Sequence, residues 1–145
     1  GLYDPANEPD IAYAHLFSYF RGEEWRTQKE TQRLLDKYFT TKPNGIPGND
    51  DTGTMSAWAI FNMIGFYPDC PGLPEYTLTT PVFNKVTIRL DPKWYKEKEL
   101  VIESNRTQPG TLYINKVLLN GKKFNQYRIT HDELVHSQRI LFDLK

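Results

Sequence analysis

Gly48-Asn49-Asp50-Asp51-Thr52-Gly53, running into Thr54-Met55-Ser56-Ala57-Trp58, is the stretch on which the reading of this chain turns. From Thr54 to Ile64 the residues Met55, Ala57, Trp58, Ala59, Ile60, Phe61, Met63 and Ile64 leave no continuous polar stripe. The pattern predicts a helix that needs neighbours on all sides. Three oxygen-bearing side chains, Asn49, Asp50 and Asp51, stand just ahead of it, where orphan N–H groups and the helix dipole favour negative charge. A carboxylate placed there stays ionised near neutral pH, which a general base activating a water requires. The plainer alternative is that Asp51, Thr52 or Thr54 is an N-cap, and one residue can do both. The loop fails as a helix-loop-helix calcium site: with Gly53 at the required glycine, the closing Glu would have to fall on Ala59.

Working outward, the residues before this loop are helical in pattern. Pro9 suits the first turn of a helix, and Ile11 to Phe20 is apolar on almost every side, so a deeply buried helix is expected there. A second helix, about Glu23 to Tyr38, carries Thr31, Leu34, Leu35 and Tyr38 along one face, with Thr27-x-x-Glu30 as an internal capping box. Two of three helices are more apolar than a three-helix bundle needs, which points to a larger helical assembly. The stretch from Tyr67 to Pro81, with Pro68, Pro71, Pro74 and Pro81, reads as an irregular connection. Beyond it, Lys85–Leu90, Leu100–Glu103, Leu112–Ile114, Val117–Leu119 and Ile140–Leu144 are strand candidates. Asn120-Gly121 between apolar runs is a type I′ hairpin signal. The expected fold class is α+β: a helical segment over 1–80, then a small antiparallel sheet or half-sandwich over 81–145.

Composition narrows the function classes. The 145 residues are enough for one domain with a real core, and 18 basic against 18 acidic residues leave no net charge. No basic run alternates with aromatics, so nucleic acid is not an expected partner. The single cysteine, Cys70, excludes an intrachain disulfide and a cysteine-built zinc site. No segment has the roughly 20 apolar residues of a membrane span, and no signal-peptide pattern opens the chain. Starting on Gly1 rather than Met, it reads as a mature product or an excised fragment of a longer protein.

Asn7-Glu8-Pro9-Asp10 offers oxygen donors at another helix start. Asn7 and Glu8 are candidate members of a calcium shell completed from elsewhere, with ordinary capping as the alternative. His15 sits on an apolar helix as a core or pocket-lining residue, and His131 and His136 lack matching partners, so zinc is not expected. Trp25, Trp58 and the tyrosines are either core or a sugar-stacking wall. Asn105-Arg106-Thr107 fits the glycosylation acceptor pattern, which by its brevity carries little.

Taken in order, these pieces resemble the C-terminal part of glycoside hydrolase family 92, the calcium-dependent inverting exo-α-mannosidases. The matching residues are Asn7-Glu8-Pro9-Asp10 with Ala12-Tyr13, Trp25-Arg26-Thr27-Gln28-Lys29, Gly45 to Trp58, Gly65-Phe66-Tyr67-Pro68, Cys70-Pro71-Gly72, and Pro81 to Ile88. The resemblance implies the last helices of an (α/α) barrel followed by closing strands, in an enzyme removing terminal, α-1,2-linked mannose from glycans with inversion. It assigns the general base to Asp51, with Asp50 able to share the work, and substrate contacts to Asn49, Trp25 and Thr27. Asn49 stands where some members place a second aspartate. Asn7 and Glu8 fall on the stretch associated with calcium (Ca2+). The family's general acid lies upstream in a motif not found here, so the isolated chain is expected to be inactive. Its implied partners are mannose-containing glycans and the remainder of the catalytic domain, in a periplasmic or secreted parent. The competing reading is a carbohydrate-binding or structural accessory module.

Overall fold

The computed structural model describes residues 5–145, the side chain of Glu8 excepted. Its N-terminal stretch departs from the expected buried α-helix, forming a 3-10 turn at Glu8–Asp10 and a 3-10 helix at Tyr13–Tyr19. The geometry explains the exposure that follows. Three residues per turn eclipse positions i and i+3, which gathers Tyr13, Leu16 and Tyr19 on one side. All three are about half exposed, while Ala14 and His15 are buried.

Helix α1 (Glu24–Tyr38) is amphipathic as its pattern predicts, burying Thr31, Leu34 and Leu35. Thr27 is not a cap: it lies inside the helix, buried. Helix α2 (Thr54–Ile64) ends on Gly65, whose φ of 113° allows a left-handed close with its N–H on the Phe61 carbonyl. Against the expectation of neighbours all round, Ile60 is left 55% exposed. Trp58 fixes the helical layer. Its ring stacks on Phe39 at 5.5 Å, and its Nε1 donates to the Ile11 carbonyl at 3.1 Å.

The stretch expected to be irregular instead contributes β1 (Phe66–Tyr67) and β2 (Glu75–Leu78). Then follow β3 (Lys85–Arg89), β4 (Glu99–Arg106), β5 (Ile114–Leu119), β6 (Lys122–Phe124), β7 (Arg128–Thr130), the short helix α3 (His131–His136) and β8 (Arg139–Leu144). Strands β1, β2 and β7 form one antiparallel sheet, and the other runs β3-β4-β8-β5-β6. That second sheet is mixed, because β4 and β8 pair in parallel, Ile102 opposite Ile140. The β5–β6 hairpin turns on Asn120 (φ 48°) and Gly121 (φ 80°), the two positive φ values a type I′ turn needs. Leu78, Leu100, Ile102, Ile129, Ile140, Phe142 and Leu144 form the core between the sheets.

A histidine and a carboxylate lie deep in this frame. His15 is fully buried, stacked on Tyr67 at 4.5 Å, with Nε2 2.9 Å from Asn62 Oδ1. Asn62 Nδ2 donates to the Trp58 carbonyl, so Oδ1 is the acceptor and Nε2 carries the imidazole proton. Burial pushes the His15 pKa down to about 4, outweighing the Asn62 hydrogen bond and the Asp69 charge that pull it up. Between the ordinary 6.5 and about 4 the unfolded chain therefore binds a proton that the folded one refuses. Stability is whole above that window and falls through it, by roughly 3 kcal/mol at the bottom. Urea midpoints taken from pH 7 to pH 4.5 should show this loss in the wild type and a flatter profile in His15→Gln.

The second group is Asp69, whose side chain is 1% exposed and accepts from Tyr19 Oη and Thr77 Oγ1, each at 2.8 Å. Arg128 closes the cluster, with Nη1 3.3 Å from Asp69 Oδ2 and 2.8 Å from Thr77 Oγ1, and its guanidinium 4.3 Å from the centre of the Tyr19 ring. One carboxylate thus ties the 3-10 helix to β2 and β7.

Candidate active-site loop

Two glycines set the path of the loop between α1 and α2. The Gly45 carbonyl takes the Thr40 N–H at 2.9 Å, and a Cβ on Gly45 would run into the Thr40 carbonyl oxygen at 2.0 Å. Gly48, at φ 61°, passes so near the N-terminal stretch that a Cβ would sit 2.5 Å from the Ala6 Cβ. Glycine there lays the acidic loop against the residues that lead into Asn7-Glu8. The two constellations found separately in the sequence are therefore neighbours.

Within the loop the two carboxylates are treated differently. Asp50 Oδ1 accepts the Ser56 N–H at 2.9 Å and Oδ2 accepts the Ser56 hydroxyl at 2.5 Å. These bonds, the hydroxyl first and then the backbone N–H, hold the Asp50 carboxyl below the usual range. The cap on α2 thus falls to Asp50, not to Asp51, Thr52 or Thr54. Asp51 is exposed, and its carboxylate accepts no hydrogen bond from the described residues; only its backbone carbonyl is engaged, by Thr54 Oγ1 at 2.5 Å. Thr52 and Gly53 follow in the left-handed region, at φ 55° and 78°. For a β-branched residue that conformation costs on the order of 1–3 kcal/mol. Thr52→Gly is accordingly expected to stabilise the fold by about 1 kcal/mol in urea titration, since glycine adopts the same φ without strain.

The remaining predicted residues are placed as follows. Asn49 is exposed on the loop. Asn7 is exposed, with Nδ2 3.5 Å from Asp10 Oδ2, and the Glu8 side chain lies outside the described residues. Oxygen donors of this kind suit a hard cation, but the described ones fall short of the six to eight that calcium takes, and no group of three metal-binding side chains occurs among the described residues. Trp25 is on the first turn of α1, edge-on to Tyr113 at 6.4 Å. Thr27 is 1% exposed and faces the interior. Among the described residues, no hydrogen bond or ring contact links Trp25 or Thr27 to Asp50 or Asp51. Ser56, which decides between the two carboxylates, went unread in the sequence; the available signal was a hydroxyl at the third position of a helix whose preceding loop is acidic. No described helix is long and apolar enough to cross a membrane.

A carboxylate with no hydrogen-bond partner among the described residues, next to one fully engaged at a helix start, is an arrangement suited to hydrolytic chemistry. The model of the glycosyl hydrolase family 92 catalytic domain matches residues 1–145, and the chain belongs to that family. An uncharacterized secreted glycosidase of Arthroderma benhamiae is 29% identical over 126 residues, 87% of this chain and 16% of the relative. A family 92 α-mannosidase from Bacteroides thetaiotaomicron is similar at TM-score 0.89 and 32% identity, over 100% of this chain and 19% of that one. An inverting mannosidase of the same family and organism gives 0.85 and 34%, again over 100% and 19%. The chain spans less than a fifth of the length of each of these relatives.

Proposed function

We propose that these residues are the C-terminal portion of an extracellular or periplasmic exo-α-mannosidase that removes terminal α-1,2-linked mannose from glycans with inversion. In this reading the chain supplies the general base, Asp51, and the general acid comes from elsewhere in the longer protein. The observation that carries it is the division of labour in the loop: Ser56 engages both oxygens of Asp50, while Asp51 keeps its carboxylate open at the start of α2. An open carboxylate can take the proton of a water as that water attacks the anomeric carbon. The acid on the opposite side protonates the departing oxygen, about 6.5–9.5 Å away so that the water fits between. The α-1,2 preference rests on the family resemblance alone.

Asn7 and Glu8, brought beside the loop through the Ala6–Gly48 approach, would contribute to a calcium site completed from the remainder of the catalytic domain. Bound calcium would hold vicinal hydroxyls of the sugar. The half-exposed face of Leu16, Tyr19 and Phe20, with Ile60 on α2, supports a surface that the rest of the catalytic domain covers.

The test is turnover of an aryl α-mannoside. The full-length enzyme is expected to hydrolyse it, to lose activity in a chelator and to regain it with calcium, while residues 1–145 alone give none. Turnover by the isolated residues at the full-length rate would remove the claim that the acid lies elsewhere.

A further inference from the structure

The geometry points to a binding site for one neutral hexose unit of a glycan arm, in the groove between the start of α1 and the start of β5. That groove encloses about 520 Å³ and is lined by Trp25, Gln28, Tyr113 and Tyr127, with Glu24 and Lys145 at its sides. Its size falls within the roughly 300–1,000 Å³ of small-ligand sites.

Gln28 marks it as more than a surface furrow. The residue is 2% exposed, and its Oε1 accepts the Ile114 N–H at 2.9 Å. That bond fixes the amide orientation, because only the oxygen can accept. The Nε2 donor then has no partner among the described residues, although Gln28 lines the groove. That donor opens onto the groove from a side chain fixed at its other end, and a ligand hydroxyl can accept from it. Acceptors and a second donor stand nearby. Glu24 Oε2 takes the Gly22 N–H at 2.8 Å, leaving Oε1 to accept. Burial and then the Glu24 charge push the Tyr127 phenol above its ordinary pKa, so its hydroxyl keeps its proton and can donate.

Charge and shape select the ligand class. The Glu24 carboxylate and the Lys145 ammonium offset each other, which disfavours a net anion or cation. The Tyr113 ring, edge to face with a Trp25 ring over which Arg26 and Lys29 stand, gives the groove an apolar wall on which ring carbons of a sugar pack. Taking that hexose as mannose rests on the mannosidase reading; the groove's preference for a neutral polyol does not.

The experiment is affinity electrophoresis of the full-length enzyme in gels with and without α-mannan, for wild type, Gln28→Met and the double variant Glu24→Gln/Tyr127→Phe. Wild type should be retarded by mannan, with retention falling about fivefold to tenfold in either variant, more than any rise in KM for an aryl α-mannoside. Gln28→Met also removes the partner of the Ile114 N–H, so if it fails to fold the double variant decides. No retardation of wild type, or full retardation of a double variant with an unchanged thermal midpoint, overturns the site. So does a KM rise that matches the loss of retention. If the enzyme fails to cleave the aryl mannoside yet shows mannan retardation that the double variant loses, the groove stands and the mannosidase reading falls.

Discussion

Asp51→Asn in the full-length enzyme is expected to lower kcat by roughly a hundred- to ten-thousand-fold, the usual contribution of a positioned general base. The amide keeps the shape of the side chain and cannot take the proton of the attacking water. Asp50→Asn separates the roles of the two residues. Its carbonyl can still accept one of the two Ser56 donors that Asp50 now holds, so its loss of activity should be smaller. Because the Ser56 hydrogen bonds hold the Asp50 carboxyl below the ordinary range, its bonding contribution is present above the unfolded value of 3.8 and lost only in stronger acid. Initial rates on an aryl α-mannoside, with thermal midpoints for each variant, are the measurement. Equal losses from both variants would leave Asp51 with no special role.

Asp69→Ala is expected to cost about 3–5 kcal/mol, the range found when one member of a buried ion pair is removed. The Asp69 side chain is 1% exposed and Arg128 19%, so the guanidinium would stay largely buried with only the more exposed Glu75 carboxylate, 3.3 Å from Nε, left to balance it. Tyr19 and Thr77 would each lose an acceptor. Pairing the change with Arg128→Met should recover part of the loss, because the buried charge that Glu75 only partly balances goes with the arginine. Burial alone would raise the Asp69 carboxyl, but hydrogen bonds from Thr77 and Tyr19, with the Arg128 charge, outweigh it and hold the group below its ordinary value of 3.8. Its contribution is therefore present above pH 3.8 and disappears as acid passes the lower folded value. Urea midpoints at pH 7 check the mutational cost, and their fall below pH 4 checks the sign. A variant within 1 kcal/mol of wild type would mean that water reaches Arg128 far better than its burial suggests.

Much of the fold was legible because it rests on local signals. Helix α2 announced itself by an unbroken apolar face, α1 by its i, i+3, i+4, i+7 stripe, and the β5–β6 hairpin by Asn120-Gly121. What escaped is pairing between segments far apart in the chain. Strand β7 is three residues long and exists because Tyr76 meets Ile129 across β2, which no short window of sequence reveals. Helix α3 was readable and unread: Thr130 and Glu133 form a full capping box. The 3-10 winding of Tyr13–Tyr19 was hidden because an apolar run is equally compatible with a buried α-helix.

The candidate site was legible to the level of its loop and no further. Acidic residues before a buried helix are visible in Asn49-Asp50-Asp51, and so is the oxygen-rich Asn7-Glu8. Which carboxylate caps and which stays open depends on the left-handed turn at Thr52 and the reach of Ser56 to Asp50, both matters of backbone path. That the loop lies beside the N-terminal stretch depends on Gly48 approaching Ala6, a contact made across some forty residues of chain.

The proposed inversion rests on a water activated by Asp51 and attacking from the face opposite the leaving group. Proton NMR of the anomeric signals during the first minutes of hydrolysis by the full-length enzyme tests this most directly. β-Mannose is expected to appear first, with the α anomer growing in only by mutarotation. Release of α-mannose as the first product would contradict it, because retention requires a covalent intermediate and a nucleophile in place of a base.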